Sequence, residues 1–118
     1  MGQIISGYLY MAKKGILHRD LKPANIMRHG NTWKIGDFGF ATSCKSDFFF
    51  DKLNVGTPLC MPPDALRTNK YSFKSDVFAL GIMLYEMLCG KTPWDCKTEK
   101  ELIQKMCREK IYFPNNVT

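Results

Sequence analysis

The apolar positions of the first fifteen residues recur close to helical spacing: Ile4, Ile5, Tyr8, Leu9 and Met11. Gly15 follows two lysines, and a glycine behind basic residues is typical of a helix C-terminus. The pattern predicts an N-terminal helix that ends before Gly15 and extends back to the start of the chain.

Two more helices are predicted in the second half of the chain. The run from Ser75 to Cys89 has helical periodicity, and Gly90 is its stop signal. The segment from Thr98 to Lys110 is amphipathic, with Thr98 as N-cap and Glu101 three residues later, which is the spacing of a capping box.

Short apolar runs between these helices predict strands rather than helices. The runs Asn25 to Arg28 and Thr32 to Ile35 flank His29-Gly30-Asn31, which is a turn signal, so we expect a β-hairpin. Residues Gly36 to Pro63 follow no sustained period. We therefore expect an irregular segment there, and a long loop inside a compact domain is usually functional.

Composition predicts a single globular domain, because 118 residues with 45% hydrophobic content can build one core. Five cysteines without a C-x-x-C pair favour reduced thiols over a zinc site or disulfides. The most apolar stretch, Val77 to Cys89, is shorter than the roughly 20 residues that span a bilayer. No secretory signal is visible, so we expect a cytoplasmic, intracellular protein without a membrane partner.

The net charge of +6 raises the alternative of a nucleic-acid or membrane binder. The basic residues are scattered and often lie beside acids, as in the run from Lys97 to Glu101, which is typical of a solvated helix face. No nucleic-acid recognition motif is present. We therefore expect no nucleic-acid partner, and this alternative depends on net charge alone.

Two polar motifs carry candidate chemistry: His18-Arg19-Asp20-Leu21-Lys22-Pro23-Ala24-Asn25 and Asp37-Phe38-Gly39. Phosphoryl transfer needs an acceptor for a hydroxyl proton, oxygen ligands for a divalent metal and a cation near the moving phosphate. Asp20 could accept or orient the hydroxyl, and Lys22 could contact the phosphate. Asn25 and Asp37 could supply the oxygen ligands that Mg²⁺ prefers.

These motifs resemble the catalytic loop and the magnesium-binding motif of eukaryotic protein kinases. Two later segments, 56–64 and 76–81, resemble the close of the activation segment and the start of the central helix of the large lobe. The resemblance runs in order along essentially the whole chain. It implies an α+β, mainly α fold, namely a kinase C-terminal lobe whose short β-hairpin carries the catalytic and magnesium-binding loops.

The resemblance also implies a serine or threonine acceptor, because tyrosine kinases differ at Lys22, Ala24 and Thr57. In the family the Thr57 hydroxyl would bridge Asp20 and Lys22. Ala24 stands where kinases that prefer arginine before the acceptor often have glutamate, which weakens that preference here.

The resemblance implies supporting roles for six further residues: His18, Arg19, Phe38, Gly39, Asp64 and Asp76. His18 and Phe38 would pack in a column of side chains, and Asp76 would accept hydrogen bonds from the catalytic-loop amides. Gly39 belongs to the magnesium-binding motif. Arg19 would pair with a phosphate on the activation loop, for which the candidate phosphosites are Thr42, Ser43 and Ser46. Asp64 replaces the usual glutamate and would be costly if it were buried without a partner.

The function expected from the resemblance is a serine/threonine protein kinase that uses ATP and Mg²⁺ and acts on protein substrates. Nothing in the chain resembles the small lobe, so residues 1–118 are expected to be a partial kinase domain, inactive alone, without the N-terminal lobe and the final helices. The alternative is a non-catalytic, kinase-derived interaction or regulatory module.

We expect exposed apolar surface on the central helix, at Ile82, Leu84 and Met87, which a partner or the remaining kinase domain would cover. The run from Lys74 to Ile82 and the later Gly90 to Trp94 look most like the calcium/calmodulin-dependent and autophagy-initiating kinase groups. That subgroup is an expectation from resemblance alone.

Overall fold

The computed structural model describes residues 1–46, 49–50 and 55–116. The helices in this part are α1 (Gly2–Lys13), α2 (Pro63–Thr68), α3 (Phe73–Cys89) and α4 (Glu99–Arg108), with single 3₁₀ turns at Pro23–Asn25 and Pro58–Cys60. The strands are β1 (Ile16–Leu17), β2 (Ile26–His29), β3 (Thr32–Ile35), β4 (Thr42–Ser43), β5 (Phe49–Phe50) and β6 (Lys70–Tyr71). The strands form three two-stranded antiparallel sheets, β1 with β4, β2 with β3 and β5 with β6. This content agrees with the predicted α+β, mainly helical class.

Helix α1 confirms the first predicted helix. Its Ile4, Tyr8 and Met11 are buried, whereas Ile5 and Leu9 are exposed. The apolar stripe is therefore wider than the face that the rest of the chain covers. The helix ends where expected, because Gly15 takes a positive φ of 71° that a side chain would oppose.

The predicted hairpin is present as β2 and β3, in which Ile26 pairs with Ile35 and His29 with Thr32. The strand β2 runs one residue further than the predicted run, so the turn is shorter than predicted. Helix α1 holds the hairpin through Gln3, whose side-chain oxygen accepts from the amide of Trp33 at 2.6 Å. This bond fixes the hairpin to α1, and β2 of the hairpin directly follows the loop that contains the first polar motif.

The segment 36–63 is less irregular than predicted. It contains β4 and β5, and a 3₁₀ turn at Pro58–Cys60 lies close to its end. Each of these strands is two residues long, and a pair of residues cannot display a period of two. Their positions are set by partners distant in the sequence, since β4 pairs with β1 and β5 with β6.

Helix α3 begins at Phe73, two residues before the predicted start at Ser75. Ser72 is the N-cap: its hydroxyl accepts from the amide of Lys74, and its own amide donates to the hydroxyl of Ser75. The reciprocal bonds define the start that periodicity alone placed too late. The predicted stop is confirmed, because Gly90 has a φ of 75°.

Exposure along α3 corrects one expectation. Leu84 and Met87 are exposed as predicted, at 41% and 58%, but Ile82 is buried, with 3% exposure. Residues two apart on a helix point to different sides, so Ile82 faces the buried core while Leu84 lies at the surface. No helix in the described part of the chain is both long and apolar enough to cross a membrane.

Helix α4 is confirmed, but it ends at Arg108, before the predicted Lys110. The Thr98 hydroxyl accepts from the Glu101 amide at 3.1 Å, as the capping signal predicted, and Leu102 is buried. Helix α2 was not predicted from the sequence. It is six residues long and starts at Pro63. A helix this short is too short to show a clear apolar period and depends on packing against its neighbours for its stability.

Candidate functional site

The loop between β1 and β2 contains the first polar motif, and Asp76 anchors it to α3. The carboxylate of Asp76 accepts from the amide of His18 at 2.8 Å and from the amide of Arg19 at 3.0 Å. Asp76 is 2% exposed and lies in the first turn of α3. Two charge-assisted bonds from consecutive amides fix the direction in which the loop leaves β1.

Burial raises the pKa of Asp76, and the two loop amides act in the opposite direction because they stabilise the charged form. Burial also explains why the loop stays bound to Asp76. A buried carboxylate is destabilising unless its oxygens accept hydrogen bonds, so movement of the His18 and Arg19 amides away from Asp76 would cost free energy.

His18 links the two motifs. Its Nδ1 accepts from the amide of Asp20 at 3.2 Å, so we assign the ring proton to Nε2, which lies 2.9 Å from the carbonyl oxygen of Gly36. The fully buried ring also meets Phe38 edge-on, with the ring centres 5.2 Å apart. The pair has the contact implied for the packed column, although Phe38 is half exposed.

Asp20 is the hub of the site and is 8% exposed. Thr57 Oγ1 donates to Asp20 Oδ1 at 2.9 Å, while Lys22 Nζ lies 3.7 Å from Oδ2. The link between Thr57 and Lys22 therefore runs through this carboxylate. Asn25 Nδ2 donates to the backbone oxygen of Asp20 at 2.7 Å and to Oδ2 at 3.2 Å. The site thus holds the carboxylate from both sides.

The two candidate metal ligands lie at the open end of the hairpin, Asn25 just before β2 and Asp37 two residues after β3. Asn25 is buried, and because its amide nitrogen donates to Asp20, its side-chain oxygen is the atom suited to a cation. The amide of Gly36 donates to the backbone oxygen of Asn25 at 2.8 Å, which brings the next residue, Asp37, to the same edge. Asp37 is exposed, has a φ of 52°, and accepts from the amide of Gly39 through Oδ1. One amide oxygen and one carboxylate are the donor types that fit Mg²⁺.

Gly36 was not singled out from the sequence, yet its lack of a side chain shapes this edge. A Cβ at Gly36 would lie 2.3 Å from Cε of Met27. The Met27 side chain, 54% exposed, therefore packs into the space that any other residue at position 36 would fill. The sequence did offer a signal for Gly36, because a glycine directly before the Asp37-Phe38-Gly39 motif marks a place where the backbone can pack closely.

Arg19 contacts the segment after the second motif. Its Nε donates to the carbonyl oxygen of Phe40 at 2.6 Å, and its guanidinium lies 5.3 Å from the ring centre of Tyr71. Among the candidate phosphosites, Ser43 and Ser46 are exposed and Thr42 is half-buried in β4. Pairing of Arg19 with a phosphate on one of them stays a prediction.

Gly56 makes a close backbone approach beside Thr57. It has a φ of 108°, and a Cβ there would lie 2.6 Å from the carbonyl oxygen of Arg19. Both constraints require glycine. Because Gly56 packs directly on the backbone of Arg19, the next residue, Thr57, lies close enough for its hydroxyl to donate to Asp20.

Asp64 lies exposed in the first turn of α2, where a negative charge is favourable to the helix dipole. The cost that Asp64 would carry if it were buried without a partner therefore does not arise.

A buried thiol lies behind the site. Burial raises the pKa of Cys60 to about 11, and the negative charges of Glu86 and Asp20 act in the same direction. Cys60 therefore stays protonated at neutral pH. All five cysteines are free thiols.

Comparison with known proteins agrees with this geometry. A family model described as the protein kinase domain matches residues 1–117. The chain belongs to the eukaryotic protein kinase family. Its named relatives place it with the serine/threonine kinases.

Three relatives show the extent of the match. Serine/threonine-protein kinase atg1 of Dictyostelium discoideum is 34% identical across 100% of this chain and 18% of its own length. Calcium-dependent protein kinase 5 of Plasmodium falciparum is 37% identical across 98% and 21%. Serine/threonine-protein kinase Nek3 of Mus musculus is 38% identical across 93% and 22%. The chain thus spans about a fifth of these relatives, and such similar identities to differently named kinases select no subgroup.

Proposed function

We propose that this chain carries the catalytic centre for phosphoryl transfer from ATP to a serine or threonine hydroxyl of a protein. The observation that carries the proposal is the environment of Asp20. Its carboxylate is nearly buried, one oxygen accepts from Thr57, and the other faces Lys22 and Asn25. A carboxylate held in this way can accept a hydrogen bond from a substrate hydroxyl without first reorganising.

Lys22 would supply positive charge to the transferring phosphate. Its side chain is 32% exposed while its ammonium group lies near Asp20, so it can reach a phosphate in the open half of the site and still be oriented by the carboxylate. A fixed cation at that place would stabilise charge that develops on the phosphate oxygens.

Asn25 and Asp37 would hold Mg²⁺, because both residues lie at the open end of the hairpin, where the Gly36 amide binds the backbone oxygen of Asn25. When bound, the ion neutralises the negative charge of the phosphates. The chain's own contribution is to place an amide oxygen and a carboxylate there. Asn25 is immobilised by Asp20, and Asp37 by the amide of Gly39.

The serine or threonine preference is supported by Thr57. Its hydroxyl is bonded to Asp20 in a segment that Gly56 holds against the catalytic loop. This places a hydroxyl-bearing residue at the entrance to the catalytic carboxylate. That the chain is a partial kinase domain stays a prediction. The prediction that the 118 residues are inactive alone opposes this proposal, and the transfer measurement below decides between them.

A second candidate function is a kinase-derived interaction module, as the sequence also allowed. An apolar groove of about 330 Å³ between α1 and α3 favours it, lined in part by Ile5, Leu9, Val77 and Leu84. This function would need neither Asp20 nor Asp37.

The test separates nucleotide binding from transfer. ATP binding to the chain, measured by calorimetry with and without Mg²⁺, should weaken at least about tenfold in Asp37→Asn, since the negative charge of the carboxylate ligand is lost. Asp64→Asn is the matched control, because it removes an exposed aspartate outside the site and should leave binding unchanged. Asp20→Asn should retain binding and lower transfer to a serine peptide by about 10²-fold or more. A chain that does not bind ATP in the presence of Mg²⁺ would contradict the proposal and favour the interaction module.

A further inference from the structure

The side chain of Tyr71 makes two hydrogen bonds to the backbone of one residue. Its hydroxyl donates to the carbonyl oxygen of Val55 at 2.8 Å and accepts from the amide of Val55 at 3.0 Å. Tyr71 is 2% exposed, so neither bond competes freely with water. A buried hydroxyl that both donates and accepts at one peptide position fixes the direction of that backbone, not only its distance.

The ring of the same tyrosine faces the catalytic loop. The guanidinium of Arg19 lies 5.3 Å from the centre of the Tyr71 ring, within the range of a cation–π interaction. The amide of Arg19 is bound to Asp76, five residues after Tyr71. Tyr71 therefore contacts the catalytic loop through its ring and the segment at Val55 through its hydroxyl.

The chain continues from Val55 directly into the close approach described above. Gly56 lies against the carbonyl oxygen of Arg19, and Thr57 then donates to Asp20. Only Gly56 separates Val55, which binds Tyr71, from Thr57, which binds Asp20. Glycine is the residue with the widest range of backbone conformations. Without a constraint on Val55, Gly56 could adopt other conformations, and Thr57 would lose its position.

We propose that Tyr71 is a positioning residue whose hydroxyl holds Val55 and thereby keeps the Thr57 hydroxyl on Asp20. This inference rests on the proposed function for its effect on catalysis, but not for its structural step. The Tyr71 hydroxyl acts on Thr57 through the two-residue span Val55-Gly56.

The experiment uses the whole chain with Tyr71→Phe, which keeps the ring beside Arg19 and removes only the hydroxyl. Tyr8→Phe is the matched control: Tyr8 is also buried, at 4% exposure, and its hydroxyl donates to a backbone carbonyl, that of Phe73. Each substitution thus deletes one buried tyrosine hydroxyl from the same core. Amide hydrogen exchange is followed residue by residue by nuclear magnetic resonance.

In Tyr71→Phe we expect the Val55 amide to exchange at least about tenfold faster, while the His18 and Arg19 amides bound to Asp76 keep their protection. In Tyr8→Phe the Val55 amide should be unchanged. Unchanged exchange at Val55 in Tyr71→Phe would overturn the proposal. Equal acceleration at Val55, His18 and Arg19 would also overturn it, since that outcome means general loosening of the fold.

The catalytic consequence is measured separately, as transfer from Mg²⁺-ATP to a serine peptide. Tyr71→Phe should lower kcat about tenfold with a smaller change in the KM for ATP, because the nucleotide ligands Asn25 and Asp37 are not attached to Val55. Tyr8→Phe should match the unsubstituted chain. If the unsubstituted chain transfers no phosphate, the proposed function fails, while the exchange result at Val55 still decides the positioning step.

If Tyr71→Phe does not fold, the unsubstituted chain provides a second measurement. A hydroxyl proton bridged to Val55 in a buried site should exchange slowly and show a nuclear Overhauser contact to the Val55 amide. A Tyr71 hydroxyl proton without that contact would overturn the proposal.

Discussion

At the scale of the residue, the site depends on how one carboxylate is occupied. Asp20 binds Thr57 through one oxygen, and Lys22 and Asn25 approach the other. Thr57 and Asn25 place hydrogen-bond donors, and Lys22 places a positive charge, against the two carboxylate oxygens. The same contacts make each neighbour testable by itself.

Thr57 provides the first prediction. Thr57→Val keeps the branched shape and removes the hydroxyl that donates to Asp20, so phosphate transfer should fall by about tenfold to a hundredfold, the cost of a hydrogen bond to a charged group. Thr57→Ser restores a hydroxyl at the same atom and should recover most of the activity. Equal kcat/KM values for Thr57→Val and the unsubstituted chain would show that the bond is not used.

Asp76 predicts a pH dependence of stability. Because burial raises its pKa above the ordinary value of about 3.9, the folded chain binds this proton more tightly than the unfolded chain. The stability that this bound proton contributes is therefore fully present below the unfolded-state pKa of Asp76 and is lost as the pH rises through the folded-state pKa. Asp76→Asn removes the titration.

The measurement is the free energy of unfolding by urea at several pH values between about 3.5 and 7. The advantage of the unsubstituted chain over Asp76→Asn should shrink as the pH rises. A gap that widens with pH would mean that the loop amides outweigh burial and lower the pKa of Asp76.

The cysteines differ in predicted reactivity. Cys60 is buried with its pKa raised to about 11, whereas Cys107 is exposed on α4. Since the thiolate is the reactive form, alkylation near pH 8 should be at least about tenfold slower at Cys60 than at Cys107. Mass spectrometry of the labelled peptides measures both rates in one sample. The difference should vanish in concentrated urea, and its persistence there would assign it to local sequence instead of burial.

At the scale of the element, α3 is the support of the site. It presents Asp76 from its first turn to the loop between β1 and β2, and Ser72 defines where that turn begins. An N-cap that shifted by one residue would rotate the first turn by about 100° and carry Asp76 away from the loop amides. The cap therefore contributes to the site as well as to the helix.

Ser72→Ala tests this support. It removes the bond from the Lys74 amide and breaks the reciprocal cap, so unfolding should become easier by about 1 kcal/mol, measured by urea denaturation. Ser6→Ala is the control, because Ser6 is exposed in the middle of α1, where alanine is the better helix former. A loss of stability in Ser6→Ala as large as that in Ser72→Ala would rule out a specific capping effect.

At the scale of the whole molecule, the core and the exposed apolar surface lie on different sides of the same helices. Met11 of α1 and Met83 of α3 are buried and do not line the open groove between these helices, whereas Leu9 and Leu84 do. Apolar surface of this kind favours association. The sequence predicted exposure on α3 but not that α1 would share the groove.

Leu84→Lys should reduce self-association of the chain, because a charge in the groove must be desolvated when another apolar surface covers it. Sedimentation velocity over a range of concentrations measures the effect. Ile111→Lys is the control, since Ile111 is also exposed, at 47%, but lies outside the groove. If both variants reduce association equally, net charge is the cause and the groove is not involved.

The sequence by itself determined the elements with strong local signals and the family to which the chain belongs. The helical runs, the hairpin around Gly30 and the capping signal at Thr98 all involve residues within a few positions of each other. The family followed from motifs read in order, and the family match over residues 1–117 confirms it.

Only the tertiary structure decided what depends on contacts between distant residues. The pairing of β1 with β4, the burial of Ile82, the exposure of Asp64 and the bonds from Tyr71 to Val55 have no local periodic signal. Periodicity reports which residues share a face of one element, whereas burial and pairing depend on what the folded chain places against that face. For that reason the sequence named Thr57 and Asp20, but only the fold showed the hydrogen bond between them and the close backbone approach of Gly56 beside it.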